Sequence, residues 1–321
     1  MRAKAIGYAM QGLVKYHGLK DWALRIPFHD SISANVDSIW TKTEVEFGDF
    51  ERDSLTINGV EADSRALERC LAVIDHLRRL KGIDLRVRIR SENNLSGAKG
   101  LGYSSSAGAA LTLAAYKALG LDEELGLDLK LLSRIARRFA GSSCRSIVGG
   151  YARWYSGTGD EDSYAVRFAS REDLDVAMLI VPLKSSIKTE DAHRDAPTSP
   201  FFEARIRSAQ RRADELERAI KDGDFERFGE LVEQDTMELH AVTMTGSSRL
   251  MVYRPESLMV IEEVLKLRRE GIKAYYSMQT GPSVFVNTYP ELLDEVKSRI
   301  EALGLRCLSG RVSGGAELLS D

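Results

Sequence analysis

The sequence predicts a two-domain chain of the α+β class, and three observations carry that expectation. Its first ~60 residues favour strands and turns, with SISANVDSIWTKTEVEFG at 31–48 rich in β-branched residues and partly alternating. Amphipathic helical patterns follow at 66–80 and, later, near 201–221, 224–242 and 255–270. Between them DLDVAMLIVPL, at 173–183, is an almost unbroken apolar run, which suits a strand covered on both faces and opens a second unit. A chain of 321 residues with 43% apolar content can fill two medium cores. The units are placed at 1–172 and 173–321.

In chain order, ALERCLAVIDHLRRL at 66–80 has apolar residues at helical spacing, and IDLRVRIRSE at 83–92 alternates as a half-buried strand does. The strand runs into GAKGLGYSSSAGAA at 97–110, a Gly/Ser loop leading to a helix of small residues. Another amphipathic helix covers 127–139 and ends at Ala140-Gly141. After the 173–183 strand comes a polar segment, KSSIKTEDAHRDAPTSP, read as loop, and then the three long helices. Strands at 272–278 and 283–289 flank a QTGP turn.

Composition narrows the chemistry. With 45 basic and 48 acidic residues there is no global basic field for nucleic acid, so small anions must be held by local clusters. Cys70, Cys144 and Cys307 are far apart without CxxC spacing, which suits reduced thiols in a cytoplasm. The histidines show no metal-ligand spacing, and no metal site is assigned. The N-terminal residues hold no apolar stretch long enough for a signal or a span.

Four polar clusters carry candidate chemistry. The 97–110 loop joins glycines to Ser104, Ser105 and Ser106 at a helix start, where free N–H groups and the helix dipole suit phosphate; it also reads as a plain turn with a serine N-cap. RRFAGSSCRSIVGGYARW at 137–154 sets Arg145 in a Gly/Ser turn, where a guanidinium can clamp a carboxylate or phosphate with two parallel bonds. By the residues alone Arg145 reads first as a surface residue on a plain turn, and Cys144 as a buried small residue before a nucleophile. Lys15 stands in VKYHGLKD, while Lys184, Ser185, Ser186, Lys188 and Arg194 share one polar stretch; each is a solvated segment unless the fold makes them converge.

Taken together, MQGLVKYHGL (10–19), IPFHDSIS (26–33), KGLGYSSSAGAA (99–110), RRFAGSSCRSIVGGYARW (137–154), LKSSIKTEDAHRDAPTSPFF (183–202), DFERFGELVEQDTMELHA (224–241) and QTGPSV (279–284) resemble, in order and interval, the motifs of the mevalonate diphosphate decarboxylases. The resemblance implies the GHMP-kinase fold: an N-terminal domain like ribosomal protein S5, a ferredoxin-like C-terminal domain, and an active site between them. It implies that Arg145 holds the substrate carboxylate and phosphate, that Ser142, with Ser143 beside it, meets a phosphate, and that Lys15 and Tyr16 form the substrate-side pair. Ser185 and Ser186, flanked by Lys184 and Arg194, match the substrate loop, and Ser104, Ser105 and Ser106 the loop that cradles ATP phosphates.

The departures from the family pattern matter as much. The aspartate of its DAGPN turn, which activates the 3-hydroxyl for phosphorylation, falls on Gln279, and an amide cannot take that proton. The phosphate loop is about two residues longer and carries Tyr103; Leu19 and Ala140 replace a lysine and a serine that meet a diphosphate. The expected enzyme therefore decarboxylates mevalonate 3,5-bisphosphate to isopentenyl phosphate without cofactor, as in an archaeal branch of the family. It is expected to be a cytoplasmic homodimer with no nucleic-acid or membrane partner. ATP and magnesium enter only under the alternative, decarboxylation of mevalonate diphosphate or phosphomevalonate. A kinase that only phosphorylates mevalonate and a non-catalytic binding relative complete the set.

Overall fold

The computed structural model describes residues 1–95 and 103–320, so the 97–102 part of the Gly/Ser loop lies outside the described residues. The N-terminal half opens with strands β1 (Arg2–Val14), β2 (Leu19–Asp21), β3 (Ile26–Pro27), β4 (Ser31–Gly48), β5 (Ser54–Ile57) and β6 (Val60–Glu61). Helix α1 (Ser64–Lys81), strand β7 (Arg86–Asn93) and helices α2 (Tyr103–Ala118), α3 (Leu121–Leu125), α4 (Leu129–Arg137) and α5 (Ser143–Ser146) follow, and then strands β8 (Tyr151–Trp154) and β9 (Ala165–Ala169). The C-terminal half comprises β10 (Ala177–Val181), α6 (Thr189–Asp195), α7 (Phe202–Lys221), α8 (Phe225–Thr245), α9 (Pro255–Arg269), β11 (Ala274–Met278), β12 (Val284–Thr288), α10 (Leu293–Glu301), β13 (Leu308–Arg311) and β14 (Glu317–Leu319).

Two large sheets, beside a small two-stranded β2–β3 sheet, organise these elements into the expected two-domain α+β arrangement. The first runs β14-β1-β4-β7-β5-β6, with β8 and β9 extending from β4; the second is antiparallel in the order β11-β12-β10-β13. Helix α2 lies against β1 and β4 and buries most of its small side chains, which is why an apolar, Ala-rich segment follows the loop. All five residues of β10 are buried, as an unbroken apolar run predicts. Met178 and Ile180 join a core with α7 and α8, while Leu179 and Val181 join another with α9. The first of these cores also contains Ala9, Leu13, Val36 and Tyr151 from the first sheet, so the two halves share apolar packing instead of meeting as separate bodies.

Two features differ from the sequence expectation. The stretch read as loop contains α6, with Glu190 and Asp191 in its first turn and His193 and Arg194 in its last, an arrangement that suits the helix dipole. It is one short helix with few buried apolar residues, so no hydrophobic period announces it. The last strand, β14, also returns to pair with β1, which puts the end of the chain back on the first sheet.

Candidate functional site

The site grows from the end of β1. That strand pairs with β4 through two register shifts, the second between Gly12 and Val14, and the ladder ends at Val14↔Ile32. A bulge re-aims the chain that follows it, and here Lys15 and Tyr16 leave the sheet into the seam between the halves. Lys15 is 7% exposed, and its Nζ donates to Oε1 of Gln279 at 3.0 Å. Gln279, at the β11–β12 turn, donates from Nε2 to the Met10 carbonyl at 3.3 Å, and its own carbonyl accepts from Nε2 of His240 at 2.9 Å. Burial, then the charge of Arg145, hold the Lys15 ammonium down to about 7, with the carboxylate of Asp235 opposing them.

Arg145 comes from α5, a helix too short to stand by its own propensity and fixed by tertiary packing. The side chain is fully buried. Its Cζ lies 5.6 Å from the ring centres of both Tyr16 and Trp154, and its Nη1 donates to Oγ of Ser31. Its Nε and Nη2 have no hydrogen-bond partner, and among the described residues no carboxylate forms an ion pair with it. A buried cation with two unused donors is costly unless an anion arrives. Burial pulls its pKa below the usual arginine value, with Cys144 and Tyr16 acting the other way.

Tyr16 packs beside Arg145. It stacks on His193 at 4.7 Å and meets Trp154 edge-on at 5.0 Å. Gly141 has to be glycine here, since a Cβ would stand 2.8 Å from the Tyr16 hydroxyl and 2.9 Å from the Trp154 ring. Nδ1 of His193 accepts from the Gly18 N–H at 3.1 Å, which leaves the proton on a buried Nε2 with no partner among the described residues. Burial, then Lys15 and Arg25, lower its pKa to about 3, so it stays a neutral donor.

The other sequence candidates divide. Ser142 is half-buried at the start of α5, and its side chain makes no cap bond. Ser143 instead donates to the Ser104 carbonyl at 2.9 Å, and Oγ of Ser105 accepts from the Met10 N–H at 3.3 Å. Ser106 bonds Thr41 at 2.8 Å and the Tyr103 carbonyl at 3.1 Å, so these serine hydroxyls tie α2 and α5 to their neighbours. Ser104 is half-buried in the first turn of α2. Oγ of Ser185 lies 3.4 Å from where a Cβ on Gly281 would stand, which sets it beside the Gln279 turn. Ser186 is exposed and accepts from Arg254 at 3.3 Å. Lys184 is exposed, and Arg194 is exposed with its guanidinium 4.2 Å from the ring centre of Trp22; among the described residues no hydrogen bond or ion pair joins either to Arg145 or Lys15.

Sequence reasoning missed Ser31, Arg25, Arg69 and His193. The charges of Arg25 and Arg69 both reach the buried Tyr16, whose pKa is raised by burial and lowered by Arg145 and by these two. Arg25 sits at φ 54°, a strained position for a non-glycine residue, and pairs with Glu190 of α6 at 3.3 Å. Arg69 is hidden in an ordinary amphipathic pattern, whereas Ser31 stood inside a quoted motif and could have been found there. Cys144 donates to the Gly141 carbonyl and burial pushes its thiol up to about 12, so it is inert. Among the described residues no group of three or more His, Cys, Asp or Glu side chains is placed to hold a metal ion, and no helix is long and apolar enough to cross a membrane. A surface groove of about 820 Å³ over the first sheet, lined by Lys42, Asn58 and Arg90 among others, includes none of these residues.

Comparison with known proteins gives the same picture over the whole length. The diphosphomevalonate decarboxylase-like N-terminal domain matches residues 7–165, and the mevalonate 5-diphosphate decarboxylase C-terminal domain matches 182–304. A phosphomevalonate decarboxylase of Haloferax volcanii is 37% identical, with 100% of this chain and 98% of that protein covered. The mevalonate diphosphate decarboxylase of Staphylococcus aureus superposes with a TM-score of 0.92 at 31% identity, covering 99% of this chain and 98% of that one. That of Enterococcus faecalis, in which mevalonate diphosphate mediates ATP binding, superposes at 0.91 with 29% identity, covering 100% and 99%.

Proposed function

The chain belongs to the mevalonate diphosphate decarboxylase family of GHMP-kinase fold, and from that premise we propose that it is the carboxy-lyase that converts mevalonate 3,5-bisphosphate to isopentenyl phosphate, carbon dioxide and phosphate without nucleotide. The observation that carries this reading is the amide of Gln279, which accepts from Lys15 and donates to the Met10 carbonyl. A carboxylate there would set two acceptors face to face. Among the described residues the carboxylate whose charge acts on Lys15 is that of Asp235, and it is engaged by the Lys15 N–H and by arginines, so it is not free to deprotonate a 3-hydroxyl. A substrate that arrives with its 3-phosphate needs no such base.

In the reaction the C3–O bond breaks, its electron pair leaves with the phosphate, and positive charge develops at C3. The C1–C2 bond then supplies the electrons of the new double bond as carbon dioxide departs. Arg145 holds the carboxylate and the leaving phosphate with its unused Nε and Nη2 donors, and Lys15 neutralises charge as the phosphate separates. Ser142 and the neutral N–H of His193 add hydrogen bonds, while Arg25 and Arg69 add positive potential beside Tyr16. Holding three anionic groups in one dry seam supplies most of what catalysis requires. We assign the enzyme to the cytoplasm as a homodimer, a state that sedimentation equilibrium checks.

The test is carbon dioxide release from mevalonate 3,5-bisphosphate by nucleotide-free protein, with a marked loss of rate expected in Gln279→Asp. A second reading is favoured by the Haloferax volcanii relative, a phosphomevalonate decarboxylase: ATP-dependent decarboxylation of mevalonate 5-phosphate. Carbon dioxide formed only with ATP, together with ADP, would decide for it.

A further inference from the structure

Lys15 stands one residue beyond the last β1–β4 pair, so no sheet partner serves its backbone. Its N–H instead donates to Oδ2 of Asp235 at 3.0 Å, and its carbonyl accepts from Nη2 of Arg205 at 2.9 Å. Nη1 of Arg205 also lies 2.7 Å from Oδ1 of Asp235, an ion pair without hydrogen-bond alignment. Both side chains are almost wholly buried, at 1% and 3% exposure, and they come from α7 and α8 of the other half of the chain. Arg212 approaches the same carboxylate at 3.3 Å and pairs with Glu238.

We propose that Arg205 and Asp235 are positioning residues for decarboxylation: they grip the backbone of Lys15 on both sides and so fix where its ammonium stands relative to Gln279 and Arg145. Satisfying one N–H and one carbonyl needs only neutral groups, and burying an ion pair for that purpose is expensive. The guanidinium combines what a neutral donor cannot: Nη2 donates to the carbonyl while the positive charge at Nη1 pairs with the carboxylate. Asp235 also sets a negative charge that opposes Arg145 at Lys15. The groups that face Lys15 are Arg145 of α5, His193 of α6, Arg205 of α7, Asp235 and His240 of α8, and its neighbour His17.

This inference rests on the catalytic role proposed for Lys15, and the experiment separates the two. Carbon dioxide release is followed for Arg205→Lys, Asp235→Asn and Lys15→Met, and for each of the first two combined with Lys15→Met, on mevalonate 3,5-bisphosphate or on mevalonate 5-phosphate with ATP, whichever is turned over. Arg205→Lys keeps the charge but not the fork, and kcat/KM should fall about 10-fold to 100-fold, the scale of a small misplacement. Asp235→Asn removes the opposing charge, so the alkaline limb of kcat/KM should move to lower pH. In the Lys15→Met background neither substitution should lower the residual rate further, because each acts only through the missing ammonium. Equal losses with and without Lys15, an unmoved pH limb, or single variants within threefold of wild type would overturn the positioning role. Full activity in Lys15→Met would overturn the role of Lys15 itself. Should Asp235→Asn fail to fold, the Arg205→Lys pair of measurements still decides.

Discussion

Lys15 and Arg145 put two like charges into one water-poor seam, and the consequences can be read at each residue. The buried ammonium titrates near 7 against an ordinary 10.5, the first cause being burial and the second Arg145. Anion binding needs the protonated form, so kcat/KM is expected to fall as pH rises through about 7 in the free enzyme. A bound phosphate dianion favours the ammonium and raises its pKa, so the limb in kcat should lie higher, and binding at pH 8 should take up a proton. Calorimetry in two buffers of different ionisation enthalpy measures that uptake; equal heats in both would count against it. The stability sign agrees: between about 7 and 10.5 the unfolded chain binds the Lys15 proton and the folded one does not, so this group's contribution to stability rises with pH across that window. For Arg145→Lys, loss of a planar two-bond clamp on the transition state corresponds to roughly 3 to 4 kcal/mol, or about 100-fold to 1000-fold in rate. A variant within threefold of wild type would remove Arg145 from the chemistry.

At the scale of elements, α5 is held by what packs on it. Ser143 bonds to the first turn of α2, and Gly108 of α2 lies directly under it. A Cβ at Gly108 would stand 2.6 Å from the Phe139 ring and press on the Ser143 hydroxyl. Alanine gains up to about 1 kcal/mol over glycine in a helix interior, whereas overpacking a tight contact costs about 1 to 3 kcal/mol. The clash should win, so Gly108→Ala is expected to melt lower than wild type and to lose activity as α5 moves Arg145. An unchanged melting temperature would show that α2 and α5 can separate freely.

Over the whole molecule, a net charge of −3 coexists with a cluster of cations in the seam, with Glu190 paired to Arg25 and Asp235 to Arg205. Such a site stores destabilisation that a ligand relieves. Arg145→Met should therefore raise the melting temperature of the free protein while abolishing turnover, in keeping with the exchange between stability and function at active sites. Substrate at about 100 times its dissociation constant should stabilise wild type by about 2.7 kcal/mol, and the variant far less. Scanning calorimetry with and without substrate checks both, and a variant that melts below wild type would contradict them.

The sequence by itself determined the fold class, most helices and strands, and the motifs around Arg145, Lys15 and Gln279, because periodicity and turn chemistry are local and motif order survives in one dimension. It also exposed the exchange of carboxylate for amide at Gln279, on which the proposed substrate rests. It did not reveal α6, whose single polar helix carries no hydrophobic period, nor the return of β14 to β1. Only the tertiary structure decided which polar groups are used up and which are left open. It joins Lys15 to Gln279 across 264 residues and to Asp235 across 220, and it stacks His193 on Tyr16. It commits the hydroxyls of Ser105 and Ser106 to tethering α2, while leaving two donors of Arg145 without partners. Burial and pairing of charge are set by neighbours from distant elements, and that information exists only once the chain has folded.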